Sequence, residues 1–417
     1  MVRDNRRVTL MIKRLLYFMT RAVYRAMPSS LRAAILYQVK YFQNEQTFHE
    51  NVSATGFHGK FSESIEMIPE NEAELIPRLI PSFNAARRKQ QSLSRPYLPG
   101  GDWGASLEVR WRRYYEAISR NDQSVLAQYL RNFFRNEGID GFWGAEKVFE
   151  NFCKSGKVRD RLMLEHFAVW KSSSAGTLLE ELEAPKIGNP WGYLFEGRIL
   201  YEPVFEYHFQ AHYLKQLLSR LETPVILEIG GGFGGLAYHI LKCIPNVKYI
   251  GLDLPENVLL QTYYLSCAFP NAKIFTYGDS FATLDKTLIQ NHDIILLPNF
   301  VLPQVEPMVA DVIINFRSLS EMSADTICEY FRQIDRIGPL FFSHENIFKP
   351  RPDGYFGIPS CDFPELKNFT LIAMSESRWP KYQQESIYYP CQENLYIYQN
   401  VFDRIKRELP TFYGMKT

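Results

Sequence analysis

Short apolar runs alternate with helical patterns through the second half of the chain. The run at 224–229 leads into a glycine cluster, a helical pattern covers 236–244, and a second apolar run follows at 247–254. Continuous apolar runs of this length are typical of strands buried on both faces, so their alternation with helices predicts an α/β, doubly wound, Rossmann-like parallel sheet. Further runs that predict strands lie at 272–277, 293–298, 311–316, 338–345, 369–377 and 394–402. No helical pattern separates the last two, which predicts an antiparallel hairpin at one edge.

The chain before residue 180 has a mainly helical pattern. Over 121–138, apolar residues recur at helical spacing from Leu126 onward, Asn121 or Asp122 can cap the start, and Gly138 follows the end. We therefore predict three units. A basic amphipathic helix spans 1–30, and a helical N-terminal region spans 31–180 and covers part of a site on the next unit. The α/β domain spans 181–417.

The first 27 residues carry seven basic side chains and one acidic side chain. At 100° per residue the basic residues share an arc of about 120°, and most of the apolar residues lie opposite them. A helix of this kind can lie on an anionic bilayer, so we expect peripheral membrane contact through 1–27. The alternative is a helix docked on its own protein or on a second subunit. The oligomeric state is not indicated.

The composition describes an ordinary globular protein with few features that select a partner. The 417 residues are 46% hydrophobic and 22% charged, with a net charge of +1, which argues against nucleic acid as the main partner. The six cysteines form no C-x-x-C pair, which argues against a zinc knuckle or a disulfide framework. There is no apolar stretch of 18 residues. We expect a cytoplasmic protein with reduced cysteines.

The stretch LEIGGGFGGLAY (227–238) satisfies two cofactor patterns. Gly230, Gly232 and Gly235 have the dinucleotide spacing G-x-G-x-x-G, whereas Glu228, Gly230, Gly232 and Gly234 match the acid-x-G-x-G-x-G motif of class I S-adenosylmethionine-dependent methyltransferases. An acid at the strand end repels a pyrophosphate and suits the ammonium and sulfonium of S-adenosylmethionine. Glu228 therefore favours the methyl donor. Asp253, at the end of the next strand, fits the ribose hydroxyls of either cofactor.

The chain resembles a family of sugar O-methyltransferases associated with polysaccharide and glycosylated natural-product clusters. The resemblance covers about 105–400 and is carried, in order, by IGNPWGY (187–193), EIGGGFGGLAYHILK (228–242), YIGLDLPENVLLQTYYL (249–265) and NFRSLSEM (315–322). It implies transfer of a methyl group from S-adenosylmethionine to a hydroxyl of a glycan, a nucleotide-sugar or a glycosylated metabolite, as in polysaccharide biosynthesis. Residues 1–60 lie outside the resemblance.

Methylation of a sugar hydroxyl needs a general base or a metal that acidifies the alcohol. Polar residues that follow strands are the first candidates, because ligands bind beyond the carboxyl ends of parallel strands. His344 is the favoured base and Glu321 the second candidate, with capping of the next helix as its alternative role. His208 and His212 are spaced i, i+4 but lack a third ligand, so no metal is assigned, although a divalent metal is compatible with the chemistry. His208 is also a candidate for the acceptor pocket.

Other residues are candidates for binding. Trp191 and Tyr193 lie in a Pro/Gly turn where aromatic faces suit adenine or sugar, or simply form a rigid turn. Arg317 and Glu345 follow two predicted strands and are assigned to the acceptor. The adenine amino group would meet Asp279 if 272–277 is the third strand of the sheet, or Asn299 if 293–298 is. We favour the second arrangement.

Two other functions remain open. An NAD(P)-dependent sugar oxidoreductase or epimerase would carry a Tyr-x-x-x-Lys pair in the sheet domain, and the sequence shows none there. A non-catalytic, membrane-associated binding protein on a methyltransferase fold is the other alternative. An intact glycine loop with both acids argues against it.

Overall fold

The computed structural model describes residues 60–61, 66–100, 102–139, 156–173, 178–195, 198–278, 280–348, 357–379 and 391–401. The predicted basic helix at 1–30 lies outside these residues. The helices are α1 (Glu72–Gln91), α2 (Asp102–Arg110), α3 (Arg112–Ser119), α4 (Gln123–Arg131), α5 (Gly156–Ser173), α6 (Glu202–Leu217), α7 (Gly235–Cys243), α8 (Pro255–Ala268), α9 (Lys286–Asn291) and α10 (Ala324–Ile337). The strands are β1 (Lys60–Phe61), β2 (Tyr193–Phe195), β3 (Arg198–Leu200), β4 (Val225–Ile229), β5 (Lys248–Asp253), β6 (Ile274–Thr276), β7 (Ile294–Pro298), β8 (Val312–Phe316), β9 (Phe341–Ile347), β10 (Phe369–Glu376) and β11 (Cys391–Tyr398).

Eight strands form the central sheet in the order β10-β11-β9-β8-β4-β5-β7-β6. Strands β4 to β9 are parallel to one another, whereas β11 runs antiparallel to both β9 and β10. This confirms the predicted doubly wound, Rossmann-like sheet with an antiparallel edge hairpin, preceded by a mainly helical N-terminal region. The chain proceeds from β4 first to one side and then to the other, so a crevice forms beyond the carboxyl ends of β4 and β8.

The strand next to β5 is β7, whose register pairs Asp253 with Pro298. The shorter β6 lies outside β7 as an edge strand. The second of the two predicted arrangements is therefore the one observed. Asn299 directly follows the strand beside β5.

Alternate residues of the central strands enter two hydrophobic layers. On β4, Ile226 belongs to the layer that contains α6, α7 and α8, whereas Leu227 and Ile229 belong to the layer that contains α10. Because both faces are covered, the central strands are apolar along most of their length, which is why their sequence runs are nearly continuous.

The helix predicted over 121–138 is shorter than its apolar pattern. Asp122 caps α4 by accepting the Val125 N–H at 3.0 Å, as expected, but α4 ends at Arg131. Two 3₁₀ turns follow, because the N–H of Phe134 donates to the carbonyl of Gly188 instead of continuing the helix. Phe133 and Phe134 are fully buried there. A tertiary contact has overridden the local helical pattern.

A buried carboxylate joins the N-terminal helices to the α/β domain. Glu72, at the start of α1, accepts two hydrogen bonds from Nε of Arg131 at 2.8 and 3.0 Å and one from the Tyr263 hydroxyl at 2.8 Å. Only 5% of its side chain is exposed. Among the described residues, no helix combines the length and apolar character that a membrane span requires.

Glu72→Ala is expected to lower the free energy of unfolding by about 3 kcal/mol, because it leaves Arg131 and the Tyr263 hydroxyl without their buried acceptor. Urea unfolding measures the change. Glu116→Ala is the matched control, because Glu116 forms an exposed pair with Arg112 on α3 whose contribution is about 0.5 kcal/mol or less. Equal effects of the two variants would contradict the anchoring role of Glu72.

Candidate functional site

A cavity of about 290 Å³ lies at the carboxyl ends of β4, β5, β7 and β8. One end contains Glu228, the glycine loop, Asp253, Asn257 and Asn299. The other end contains Glu206, Gln210, Phe316 and Arg317. The segment 98–100 and Trp103 from the N-terminal helical region line it as well. The cavity is therefore built jointly by the sheet and by helices that precede it.

The glycine loop follows β4 with a backbone that side chains would not tolerate. Gly230 has φ +75°, and a Cβ there would lie 2.0 Å from Oγ of Ser318. Gly234 has φ +95° and forms the N-cap of α7. Glycine is required at these points because the loop turns in the left-handed region and packs closely against the end of β8.

Asp253 holds the loop from the end of β5. Its Oδ2 accepts the Gly232 N–H at 2.8 Å, and its Oδ1 accepts the Leu254 N–H at 2.6 Å and the Asn257 side-chain amide at 2.8 Å. Burial raises the pKa of Asp253 to about 6, although these three donors oppose the rise. The carboxylate is thus both a structural acceptor and part of the cavity wall.

Glu228 lies beside this network and is buried. Its Oε2 accepts the Tyr249 hydroxyl at 2.6 Å. Burial raises the pKa of Glu228 to about 7, and the neighbouring Asp253 adds to the rise, while the Tyr249 hydrogen bond opposes it. Glu228 and Asp253 therefore give this end of the cavity a negative potential that a cationic ligand would complement.

Three amides of the glycine loop are engaged within the protein. The N–H of Gly230 donates to the carbonyl of Leu252 at 2.8 Å, that of Gly232 to Asp253, and that of Gly234 to the carbonyl of Gly231 at 3.0 Å. These three amides are not free to bind a pyrophosphate. Among the described residues that line the cavity, Arg317 is the single cationic side chain.

Three buried amide oxygens in the cavity wall lack a hydrogen-bond partner among the described residues. They are Oδ1 of Asn257, Oδ1 of Asn299 and Oε1 of Gln210. The amide nitrogen of Asn299 donates to the Tyr330 hydroxyl at 2.9 Å, which fixes the side-chain orientation and leaves the oxygen as an acceptor. Buried acceptors of this kind are suited to ligand donors such as amino and hydroxyl groups.

The other end of the cavity contains an ion pair between a buried carboxylate, Glu206, and the partly exposed Arg317. Arg317 has φ +65°, its N–H donates to the carbonyl of Glu345 at 2.6 Å, and its guanidinium donates to Glu206 on α6 at 2.8 Å. Gln210, one turn further along α6, donates weakly to Glu345 at 3.5 Å. Burial raises the pKa of Glu345 to about 8, and Glu206 adds to the rise. The polar residues that line this end of the cavity are therefore connected to Glu345, a buried carboxyl group outside the lining.

The structure brings together some predicted site residues and separates others. Glu228, Gly230, Gly232, Asp253, Asn299, Arg317 and Glu321 line the cavity, and Glu321 accepts the Trp103 indole N–H at 2.9 Å. Gly234 does not line the cavity but forms the N-cap of α7, where the glycine loop ends. Glu345 does not line the cavity either, but its backbone carbonyl accepts the N–H of Arg317, which does. Asp279 and the side chain of Tyr193 lie outside the described residues.

Three predicted site residues are placed elsewhere. His344 is buried in β9 against the rings of Phe342, Phe363 and Tyr396, and its surroundings lower its pKa to about 3. Trp191 is a core residue that donates its indole N–H to the carbonyl of Phe134 at 3.0 Å. His208 is on α6, but it is not among the residues that line the cavity.

Sequence reasoning missed several residues of the cavity wall. Glu206 and Gln210 are in the same stretch as the two histidines of α6, with the same i, i+4 spacing but on the face toward the cavity. Asn257 follows Asp253 by four residues at the start of α8, a spacing that can be seen in the sequence. Trp103 comes from a distant helix and has no local signal.

Comparisons with known proteins give distant structural likeness only. No family model and no curated protein matches the chain. Among solved structures, the mitomycin 7-O-methyltransferase MmcR is 13% identical over 47% of this chain and 55% of its own, with a TM-score of 0.31. The small RNA methyltransferase HEN1 is 12% identical over 48% of this chain and 26% of its own, with a TM-score of 0.33. The magnesium protoporphyrin IX methyltransferase ChlM from Synechocystis PCC 6803, with bound SAH, is 9% identical over 58% of this chain and 98% of its own, with a TM-score of 0.31.

The chain thus spans about half of the mitomycin enzyme and about a quarter of HEN1. The acceptors named for the three proteins differ from one another. Likeness at these TM-scores carries no argument about the substrate of this chain, whose site is interpreted below from its own residues.

The pKa of Glu228 predicts a specific pH dependence of stability. Because burial raises this pKa from its usual 4.5 to about 7, the folded chain binds more protons than the unfolded chain between these values. The free energy of unfolding therefore falls as the pH rises through that range. Between about pH 4.5 and about pH 8, the free energy of unfolding is expected to fall in both proteins. The fall in Glu228→Gln is expected to be smaller than that in the wild type by on the order of 1–3 kcal/mol.

Urea unfolding of the ligand-free protein at several pH values measures this difference. Because Asp253 adds to the raised pKa of Glu228, the difference between the two curves reports the titration of Glu228 together with its coupling to Asp253. Parallel curves for the wild type and Glu228→Gln would show that Glu228 ionises normally in the folded protein.

Proposed function

We propose that the chain is an S-adenosylmethionine-dependent methyltransferase that acts on a sugar hydroxyl. The observation that carries the cofactor assignment is the state of the glycine loop. Three of its amides are hydrogen-bonded within the protein, while two carboxylates line the cavity beside it. That arrangement disfavours the pyrophosphate of a dinucleotide and favours a cofactor with cationic groups and no phosphate.

The residues of this end fit the parts of S-adenosylmethionine. Glu228 is placed for the ammonium group, directly or through water, and Asp253 for the ribose hydroxyls. Asn299 offers its unpartnered Oδ1 to the adenine amino group, and Asn257 offers a second acceptor nearby. The assignment of Gly230, Gly232 and Gly234 to the cofactor loop stays part of this proposal.

When bound, S-adenosylmethionine would supply an electrophilic methyl group to the acceptor hydroxyl, and the proton of that hydroxyl would need an acceptor. Glu206 is a carboxylate in the cavity wall, and the guanidinium of Arg317 at 2.8 Å balances its charge. We therefore assign the base to Glu206 in place of His344, and assign Arg317 to acceptor positioning.

The assignment of a sugar as the acceptor is supported by the sequence motifs that resemble those of sugar O-methyltransferases. It is also supported by the polar side chains at the far end of the cavity. Glu206, Gln210 and Arg317 provide acceptor and donor groups that suit several hydroxyls of one sugar ring. Membrane contact through 1–27 and a cytoplasmic location stay predictions from the sequence.

The cofactor assignment predicts binding of S-adenosylhomocysteine and none of NAD or NADP. Calorimetry on the full chain measures all three. Glu228→Ala and Asp253→Ala are each expected to weaken S-adenosylhomocysteine binding by about tenfold or more, since each removes a charge-assisted contact. Asp293→Ala is the matched control, because Asp293 pairs with Lys248 away from the cavity. Tight nicotinamide binding without S-adenosylhomocysteine binding would overturn the assignment.

The acceptor assignment predicts transfer of a tritiated methyl group to a sugar hydroxyl as an alkali-stable ether. A panel of nucleotide sugars, monosaccharides and oligosaccharides tests it, and an alkali-labile product would instead indicate a carboxyl ester. Glu206→Gln is expected to lower kcat by about 10² to 10⁴-fold while S-adenosylhomocysteine affinity is unchanged.

His344→Phe is the comparison variant for the base, because the histidine already lies among aromatic rings. It is expected to keep kcat within a few fold if its unfolding curve matches the wild type. A His344→Phe protein that folds normally but has lost activity would show that His344, and not Glu206, is the general base.

A further inference from the structure

The face of α6 turned away from the cavity presents a cluster that the proposed function does not use. Glu181, His208, His212 and Cys243 each place one ligand atom in the cluster, and these four atoms lie within 4.8 Å of one another. The i, i+4 histidines, which lack a third ligand in the local sequence, acquire two from distant segments. Glu181 comes from the 3₁₀ turn Leu179–Leu182, and Cys243 ends α7.

The measured separations match those within a metal site. Oε2 of Glu181 lies 3.2 Å from Nε2 of His212 and 3.5 Å from Nε2 of His208. Nitrogen and oxygen ligands at 2.0–2.1 Å from a tetrahedral zinc ion are separated by about 3.3 Å. These two separations are therefore already close to the edge length of such a tetrahedron.

Other contacts hold the segments in place without occupying the ligand atoms. The ammonium group of Lys242 donates to the carbonyls of Glu180, Glu181 and Glu183, and so attaches the turn to the end of α7. Cys243 is a free cysteine, half-buried. The side chains of Glu181 and His212 are 41% and 30% exposed, which gives an ion a route from solvent.

We propose that these four side chains form a zinc site that joins α6, α7 and the 179–182 turn. Two imidazoles, a thiolate and a carboxylate form a borderline-soft set that favours zinc over magnesium or calcium, which prefer oxygen ligands. The site is structural, because it lies outside the cavity. It does not depend on the proposed methyl transfer.

Zinc binding requires one exchange at His208. The indole N–H of Trp170 donates to Nδ1 of His208 at 3.1 Å, so the proton of the neutral ring lies on Nε2, toward Glu181. When zinc binds at Nε2, this proton moves to Nδ1 and the Trp170 hydrogen bond is lost. The thiol proton of Cys243 leaves to solvent as the Zn–S bond forms.

Titration of the metal-depleted full chain with Co²⁺ tests the site, because tetrahedral Co²⁺ gives visible d–d bands and a thiolate ligand adds a charge-transfer band. One equivalent is expected to give both signals, and Zn²⁺ is expected to abolish them. Cys243→Ser should lose the charge-transfer band, and His212→Ala should bind zinc on the order of tenfold more weakly or worse.

Matched controls replace residues of the same types outside the cluster. Cys267→Ser and His292→Ala are expected to keep both signals and the wild-type zinc affinity. Absence of one-to-one Co²⁺ binding, a charge-transfer band that persists in Cys243→Ser, or equal losses in the controls would overturn the proposal.

Trp170→Phe tests the exchange at His208. Removal of the competing donor is expected to leave zinc affinity equal to or higher than that of the wild type. An affinity as low as that of His212→Ala, in a variant that unfolds like the wild type, would contradict the assignment of His208 as a ligand.

Discussion

The hydrogen bond between the Gly232 N–H and the Asp253 carboxylate determines how the cavity is built. Asp253 ends β5, and the parallel register of β4 and β5 pairs Ile229 with Leu252, so the carboxylate reaches the loop that follows β4. The loop can then turn in the left-handed region only because glycines occupy it. Burial of the carboxylate is unfavourable, as its raised pKa shows, and its three donors offset part of that cost.

The same bond decides what the cavity can hold. An amide that donates to Asp253 is not free for a phosphate, and a buried carboxylate repels one. The glycine spacing alone is compatible with a dinucleotide, but the partners of the amides are not. Glu228 strengthens the effect from β4, because its carboxyl group shares the cavity wall with Asp253 and accepts only the Tyr249 hydroxyl there.

The N-terminal helices complete the site through polar contacts to the ends of the strands and of α8. The indole of Trp103 donates to Glu321, the carbonyl of Tyr97 accepts weakly from Asn299 at 3.4 Å, and the Tyr115 hydroxyl donates to Glu256 at 2.7 Å. Each contact ends on a residue in or beside the cavity wall. The helical region therefore lines part of the cavity.

The sheet could be predicted from the sequence because its central strands β4, β5, β7 and β8 are covered on both faces and are mostly apolar. The presence of Glu228, the glycines and Asp253 in one cavity could be predicted too, since they adjoin predicted strands. The part of the cavity lined by α6 could not. His344 lies near the end of the predicted strand 338–345, but β9 extends to Ile347 and keeps His344 within the core. Trp191 has an aromatic face suited to sugar, yet tertiary packing buries it.

Helix α6 shows why periodicity alone does not identify a site. Glu206 and Gln210 form one i, i+4 pair, and His208 and His212 form another, displaced by two residues or about 200° around the helix. The first pair faces the cavity and the second faces Glu181 and Cys243. The sequence contains both pairs, but packing against α7 and the sheet decides which pair meets which chemistry. If His208 and His212 bound a metal, one face of α6 would be fixed, and Glu206 on its other face would be held in a defined position. A general base needs such a position, because proton transfer requires hydrogen-bond distance.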